Sequence, residues 1–181
     1  ADAVLDLHCD CESVMHFCTE ETCWPQLEPL TRLMQCQAVL LARNSGSGPF
    51  DECLSGVWWR LNEALATAAK PVPLPQGCCS ATIELRGETD VSHALAQADA
   101  KALFAYLQHA QVIACTNTPA LPAARCQATP LAGSQTLHAP APGVVVFAAQ
   151  VGQLLQVGDL VAEIIDPLSG QTHRVVAGVA G

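Results

Sequence analysis

Two short apolar runs constrain this chain more than any other feature. Residues 38–42 read AVLLA, and residues 78–85 read CCSATIEL with a single charged residue, Glu84. Runs of this kind mark strands covered on both faces, as in a parallel sheet flanked by helices. A third apolar strand, Val4–Cys9, stands at the head of the chain. Between them the apolar period changes to that of a helix. Leu27–Gln37 places Leu30, Leu33, Met34 and Gln37 on one face, with Pro29 in its first turn. Asp51–Ala69 repeats Leu54, Val57, Trp58, Leu61 and Leu65 and is closed by Pro71. A further helix, capped by Asp90 and running through Gln108, carries Val91, Leu95, Ala98, Ala102 and Tyr106. Strands alternating with helices predict an α/β layered domain with a mostly parallel sheet.

The texture changes after Thr116. Pro119, Pro122, Pro130, Pro140 and Pro142 punctuate a linker-like stretch. Short β-type runs follow at Gly143–Phe147, Leu160–Ile165 and Thr172–Val176, separated by Gly-containing turns. That spacing predicts a small all-β module. The expected division is residues 1–125 for the α/β domain and 126–181 for the module.

Composition narrows the function. Seventeen acidic residues against eight Lys and Arg give a net charge of −9, with no basic stripe. That balance argues against nucleic acid or an anionic membrane as partner. Half of the 181 residues are apolar, too many for a disordered chain. No uncharged apolar run is long enough for a membrane span. Ten cysteines without a secretory leader pattern predict free thiols in a reducing, cytoplasmic setting. The chain lacks an initial Met and enters at once on a core-type strand, so it is expected to be a piece of a longer polypeptide.

The polar cluster Asp6-Leu7-His8-Cys9-Asp10-Cys11 carries the first chemistry. On a strand Asp6, His8 and Asp10 point one way. Open α/β sheets place ligand sites at the carboxyl ends of their strands. A carboxylate beside a histidine can orient its ring for a metal. A zinc knuckle from His8, Cys9, Cys11, His16, Cys18 and Cys23 is the rival reading, although no Cys-x-x-Cys pair occurs. Glu84 is the second candidate: an acid inside an apolar strand needs a partner or a task. The partner could be Arg86. The task would be general acid/base chemistry.

Asp-Leu-His at a strand end, followed by a strand carrying Thr82-Ile83-Glu84-Leu85, resembles the zinc carboxypeptidase superfamily, in particular its succinylglutamate desuccinylase/aspartoacylase branch. Residues 83–86 also resemble the catalytic-glutamate strand of classical carboxypeptidases. The resemblance implies that His8 is the later of three zinc ligands and Glu84 the catalytic acid/base. It implies a zinc-dependent hydrolase acting on the amide bond of an N-acyl amino acid or similar small amide. Arg86 would pair with a substrate carboxylate. The C-terminal stretch, with Gly143-Val144-Val145 and Val157-Gly158-Asp159, resembles the biotinyl/lipoyl barrel-sandwich appended in that branch. The only lysines are Lys70 and Lys101, so it is no lysine-modified carrier.

The His-x-x-Glu pair that supplies the other two ligands is missing. The six histidines are followed three places on by Cys, Thr, Ala, Val, Ala and Val. With His8 alone the chain as it stands is expected to be inactive or nearly so. Two alternatives stay open: a non-catalytic binding or assembly module, and a cysteine-based metal-binding protein. A homo-oligomer is compatible with either.

Overall fold

The computed structural model describes residues 1–46, 48–67 and 72–181. They form two compact units, Ala1–Leu131 and Ala132–Gly181. The first contains strands β1 (Ala3–Asp10), β2 (His16–Glu20), β3 (Ala38–Ala42), β4 (Cys79–Gly87) and β5 (Ala128–Pro130). Its helices are α1 (Trp24–Leu33), α2 (Phe50–Ala66) and α3 (His93–His109). The sheet order is β1-β4-β2-β3-β5. Three pairings are parallel, and β2 with β4 is antiparallel. The expected α/β class and mostly parallel sheet are what the chain adopts.

The hydrophobic core lies on one face of that sheet. Phe17, Val39, Ala81 and Ile83 stand on neighbouring strands and pack against Leu27 and Leu30 of α1 and Tyr106 of α3. The opposite face carries the alternate residues: Asp6 and His8 of β1, Ser80, Thr82 and Glu84 of β4, and His16 and Cys18 of β2. Helix α2 covers part of it.

Several elements differ from the sequence reading. β2 was not expected, because HFCTE interleaves polar and apolar residues and is short. β5 adds Ala128–Pro130 to the sheet edge beside β3, so residues 126–131 belong with the first unit. Helix α1 begins at Trp24, and Pro29 lies inside it rather than in its first turn. Helix α3 is capped by Ser92, whose hydroxyl accepts from Leu95 N at 3.2 Å. Asp90 accepts instead from Gly87 N at 3.0 Å, and Val91 is 86% exposed. The end of the expected second helix, Ala68 and Ala69, and its closing Pro71 lie outside the described residues.

The orientation of α2 does not follow its apolar stripe alone. Leu54, Trp58 and Leu65 are half-buried, whereas Val57 and Leu61 are exposed. The buried residues are Asp51, Glu52, Ser55 and Gly56. Polar bonds explain the choice. Ser80 Oγ donates to the Asp51 carbonyl, and Trp59 Nε1 donates to Glu20 Oε1 at 2.6 Å. A Cβ at Gly56 would stand 2.9 Å from Glu20 Oε1, so the missing side chain permits this approach.

The second unit holds a three-stranded antiparallel sheet, β6 (Val144–Phe147), β7 (Leu160–Ile165) and β8 (Thr172–Val176). Ile164 and Ala162 of the central strand are buried, whereas all of β6 is exposed. No described helix is long and apolar enough to cross a membrane.

Candidate active site

Register brings the two sequence-predicted residues together. His8 stands beside Glu84 in the parallel β1–β4 pairing. On the other side of β4, Glu84 stands opposite His16 of β2. Residues in register share a face, so one rung of the sheet reads His8, Glu84, His16. Strands lie about 4.8 Å apart, so the outer two backbones are roughly 10 Å apart with the carboxylate between them.

Each member is held by a neighbour. His8 Nε2 lies 2.9 Å from Asp6 Oδ2, the same-face contact that strand alternation predicts. His8 is half exposed and Asp6 less so. His16 Nδ1 lies 3.0 Å from the Val14 carbonyl, which fixes Nδ1 as the donor and leaves Nε2 as the acceptor. Glu84 is half-buried, and its Oε2 is buried without a hydrogen-bond partner. A buried carboxylate oxygen without a partner is costly, so it calls for an explanation.

Directly beyond Glu84 the ladder is irregular. His8 pairs with Glu84 but Asp10 pairs with Gly87, so β4 carries an extra residue there. Arg86 adopts the left-handed conformation, with φ 72°. A bulge re-aims the side chains that follow it. In a regular strand Arg86 would share the face of Glu84. Here its guanidinium pairs with Asp99 of α3, and both side chains are largely buried. The carboxylate that Arg86 meets is therefore one of its own chain, and it is not Glu84.

Cys18 lies one step along the same face. Burial first, then the charges of Asp51 and Glu84, push its thiol up to about 11. Burial likewise raises the carboxyl of Asp51 and that of Glu20. All ten cysteines are free. Among the described residues no three His, Cys, Asp or Glu side chains gather as a metal-binding group. The knuckle proposed from His8, Cys9, Cys11, His16, Cys18 and Cys23 does not form: Cys9 and Cys11 are exposed, and Cys23 is buried in the core. His8 supplies one imidazole, and a catalytic zinc takes three protein ligands. The described residues therefore do not by themselves fit a catalytic zinc.

The whole chain superposes on half of a larger fold. A protein of Shewanella frigidimarina NCIMB 400 described as a succinylglutamate desuccinylase/aspartoacylase matches 99% of this chain and 47% of its own, with TM-score 0.78 and 28% identity. A succinylglutamate desuccinylase/aspartoacylase family protein of Shewanella amazonensis SB2B matches 100% and 48%, with TM-score 0.79 and 25% identity. The chain is a structural relative of the succinylglutamate desuccinylase/aspartoacylase family. The ectoine utilization protein EutE (DoeB) of Ruegeria pomeroyi shares the fold at 17% identity and TM-score 0.73. The chain spans about half the length of the solved structures it matches. No protein-family model and no curated protein matches it.

His16 is the site residue that sequence reading placed only in the rejected knuckle. Its position opposite Glu84 depends on the antiparallel β2–β4 pairing. Nothing in the spacing of residues 16 and 84 signals that contact.

Proposed function

We propose that this chain contributes the Glu84 strand of a hydrolase that cleaves the amide bond of an N-acyl amino acid or similar small amide. The unpartnered Glu84 Oε2, flanked by His8 and His16, carries the reading. The family likeness supplies the substrate class. Glu84 takes a proton from the attacking water as its oxygen bonds to the acyl carbon. It then returns that proton to the nitrogen as the C–N bond breaks. His8, steadied by Asp6, borders the carboxylate on the edge-strand side.

Zinc is proposed as the cofactor, with His8 as one donor and the remaining donors outside the described residues. Arg86 would reach a substrate carboxylate only by sharing its guanidinium with Asp99. The second unit is proposed to be a barrel-sandwich-type module. It contains no lysine for a carrier role. The protein is proposed to work in the cytoplasm.

Metal analysis of the unprocessed gene product, wild type and His8→Ala side by side, purified under reducing conditions, tests the zinc assignment. The expected result is about one zinc per wild-type site, lost in the variant. Zinc persisting in His8→Ala would move the metal to the cysteines. A zinc-containing preparation is then assayed against N-acyl amino acids. Absence of turnover in it would leave the binding-module reading, which is favoured by the incomplete ligand set.

A further inference from the structure

Two thiols meet in the core of the first unit, on the face of the sheet opposite the Glu84 rung. Cys79 opens β4 and alternates with Ala81 and Ile83, so all three point to the core. Cys23 is the N-cap residue of α1. Two features carry it to Cys79. The antiparallel β2–β4 pairing sets Thr19 opposite Ala81, and in the tight turn after β2 Cys23 N donates to the Glu20 carbonyl at 2.9 Å. Cys23 and Cys79 are 0% and 1% exposed. The S–H of Cys79 has two acceptors in reach, Cys23 Sγ and Gln26 Oε1, the latter at 3.2 Å.

The surroundings are polar for a core, and they treat the two sulfurs differently. Gln76 Nε2, held by the carbonyls of Ser55 and Cys78, lies 3.7 Å from Cys23 Sγ. Thr22 Oγ1 lies 4.0 Å from the same sulfur. Cys23 thus gathers donors at the positive end of a helix, a setting that favours a thiolate. The hydrogen bond from Cys79 lowers the Cys23 thiol to about 6, although burial opposes it. The same bond, and then burial, push the Cys79 thiol up. One sulfur is set to attack and its neighbour keeps a proton until it is needed. Cys36 and Cys126, a second pair of neighbours, lack this asymmetry. Cys126 Sγ donates to the Cys36 carbonyl at 3.3 Å, and burial raises both thiols.

We propose that Cys23 and Cys79 are an oxidisable pair that closes to a disulfide, with a hydroperoxide as the oxidant. The Cys23 sulfur bonds to one peroxide oxygen as the O–O bond breaks, which leaves a sulfenic acid on Cys23. The departing hydroxide takes up the proton that Cys23 gave up. The Cys79 sulfur then bonds to the Cys23 sulfur as the S–O bond breaks, and the Cys79 proton leaves with the hydroxyl as water. Two thiols are oxidised by two electrons, and hydrogen peroxide is reduced to two waters. Hydrogen peroxide is little larger than water. It reaches the pair when the turn at Glu21 and Thr22, both exposed, opens. The bond would tie the start of α1 to the strand that carries Glu84. Neither step uses the hydrolase reading.

The test follows the sulfurs directly. The 181-residue chain is purified under reducing conditions, and its exposed thiols, Cys9, Cys11, Cys53 and Cys115, are capped with a bulky maleimide. Hydrogen peroxide is then added without denaturant. The intact mass should fall by about 2 Da, the two hydrogens lost when an S–S bond forms. Peptide mapping should place that bond between Cys23 and Cys79, and a thiol reductant should restore the mass. Cys79→Ser should stop at a sulfenic acid on Cys23, captured by dimedone, whereas Cys23→Ser should give no sulfenic acid on Cys79. Where a serine variant fails to fold, the wild-type map decides alone. A bond between Cys36 and Cys126 in place of this one, sulfenic acid on Cys79 but not on Cys23, or a Cys23–Cys79 pair left reduced by excess peroxide would overturn the proposal. Every one of these outcomes leaves Glu84 and its assay untouched.

Discussion

Phe17→Ala lowers the unfolding free energy of the first unit by about 3–5 kcal/mol, the usual cost of truncating a fully buried aromatic. Phe17, the second residue of β2, is wholly buried. It stands in register with Ile83 on one side and Val39 on the other, both core residues. Its ring therefore fills the centre of the layer between the sheet and helices α1 and α3. Removal takes away the transfer energy of the ring and leaves a cavity that three paired strands cannot collapse to fill. Small domains are stable by about 5–15 kcal/mol, so the loss is a large share of the total. Urea unfolding checks it, through a fall in the midpoint at unchanged slope. The exposed Val91→Ala serves as the control and should shift the midpoint little. A small loss for Phe17→Ala would mean that β2 is not the central strand.

That strand shows where the sequence stops being legible. β1, β3, β4, β6 and β7 are readable because each is an apolar run bounded by turn residues. β2 is central yet reads HFCTE, since only one of its faces meets the core. The other carries His16 toward Glu84 and Glu20 toward Trp59, a partner 39 residues on. No local pattern announces that Glu20 will be buried and bonded to an indole. The orientation of α2 is equally illegible. Its apolar stripe obeys the helical period, but Ser80, Trp59 and Gly56 fix the face carrying Asp51 and Glu52 against the sheet. Acids in the first turn of a helix read as ordinary surface residues, so the burial of Asp51 and Glu52 is not legible either. Glu84 was legible for the opposite reason: an acid in an apolar strand is conspicuous. That it stands in register with His8, and does not meet Arg86, follows only from the register and the bulge.

Glu84→Gln lowers kcat for amide hydrolysis by about two to four powers of ten, the range that general acid–base catalysis contributes. The prediction applies to any preparation of this protein that turns over an N-acyl amino acid. Glutamine keeps the shape and one carbonyl oxygen, so His8 and His16 retain their neighbour. It cannot accept a proton from water at neutral pH or return one to the leaving nitrogen. The loss should therefore fall on kcat, with KM nearly unchanged, because an interaction made only in the transition state has been removed. Zinc content should match wild type, and thermal stability should not fall, since an amide costs less to bury unpaired than an ionised carboxylate. Glu84→Asp discriminates further. It keeps the proton chemistry but withdraws the carboxylate by one methylene, and turnover should fall between that of wild type and Glu84→Gln. Full activity in Glu84→Gln would remove Glu84 from the chemistry. Its orphaned oxygen would then mark a binding contact, and the search for the proton carrier would move along the same rung to His16, whose Nε2 is set as the acceptor by the bond from Nδ1 to the Val14 carbonyl.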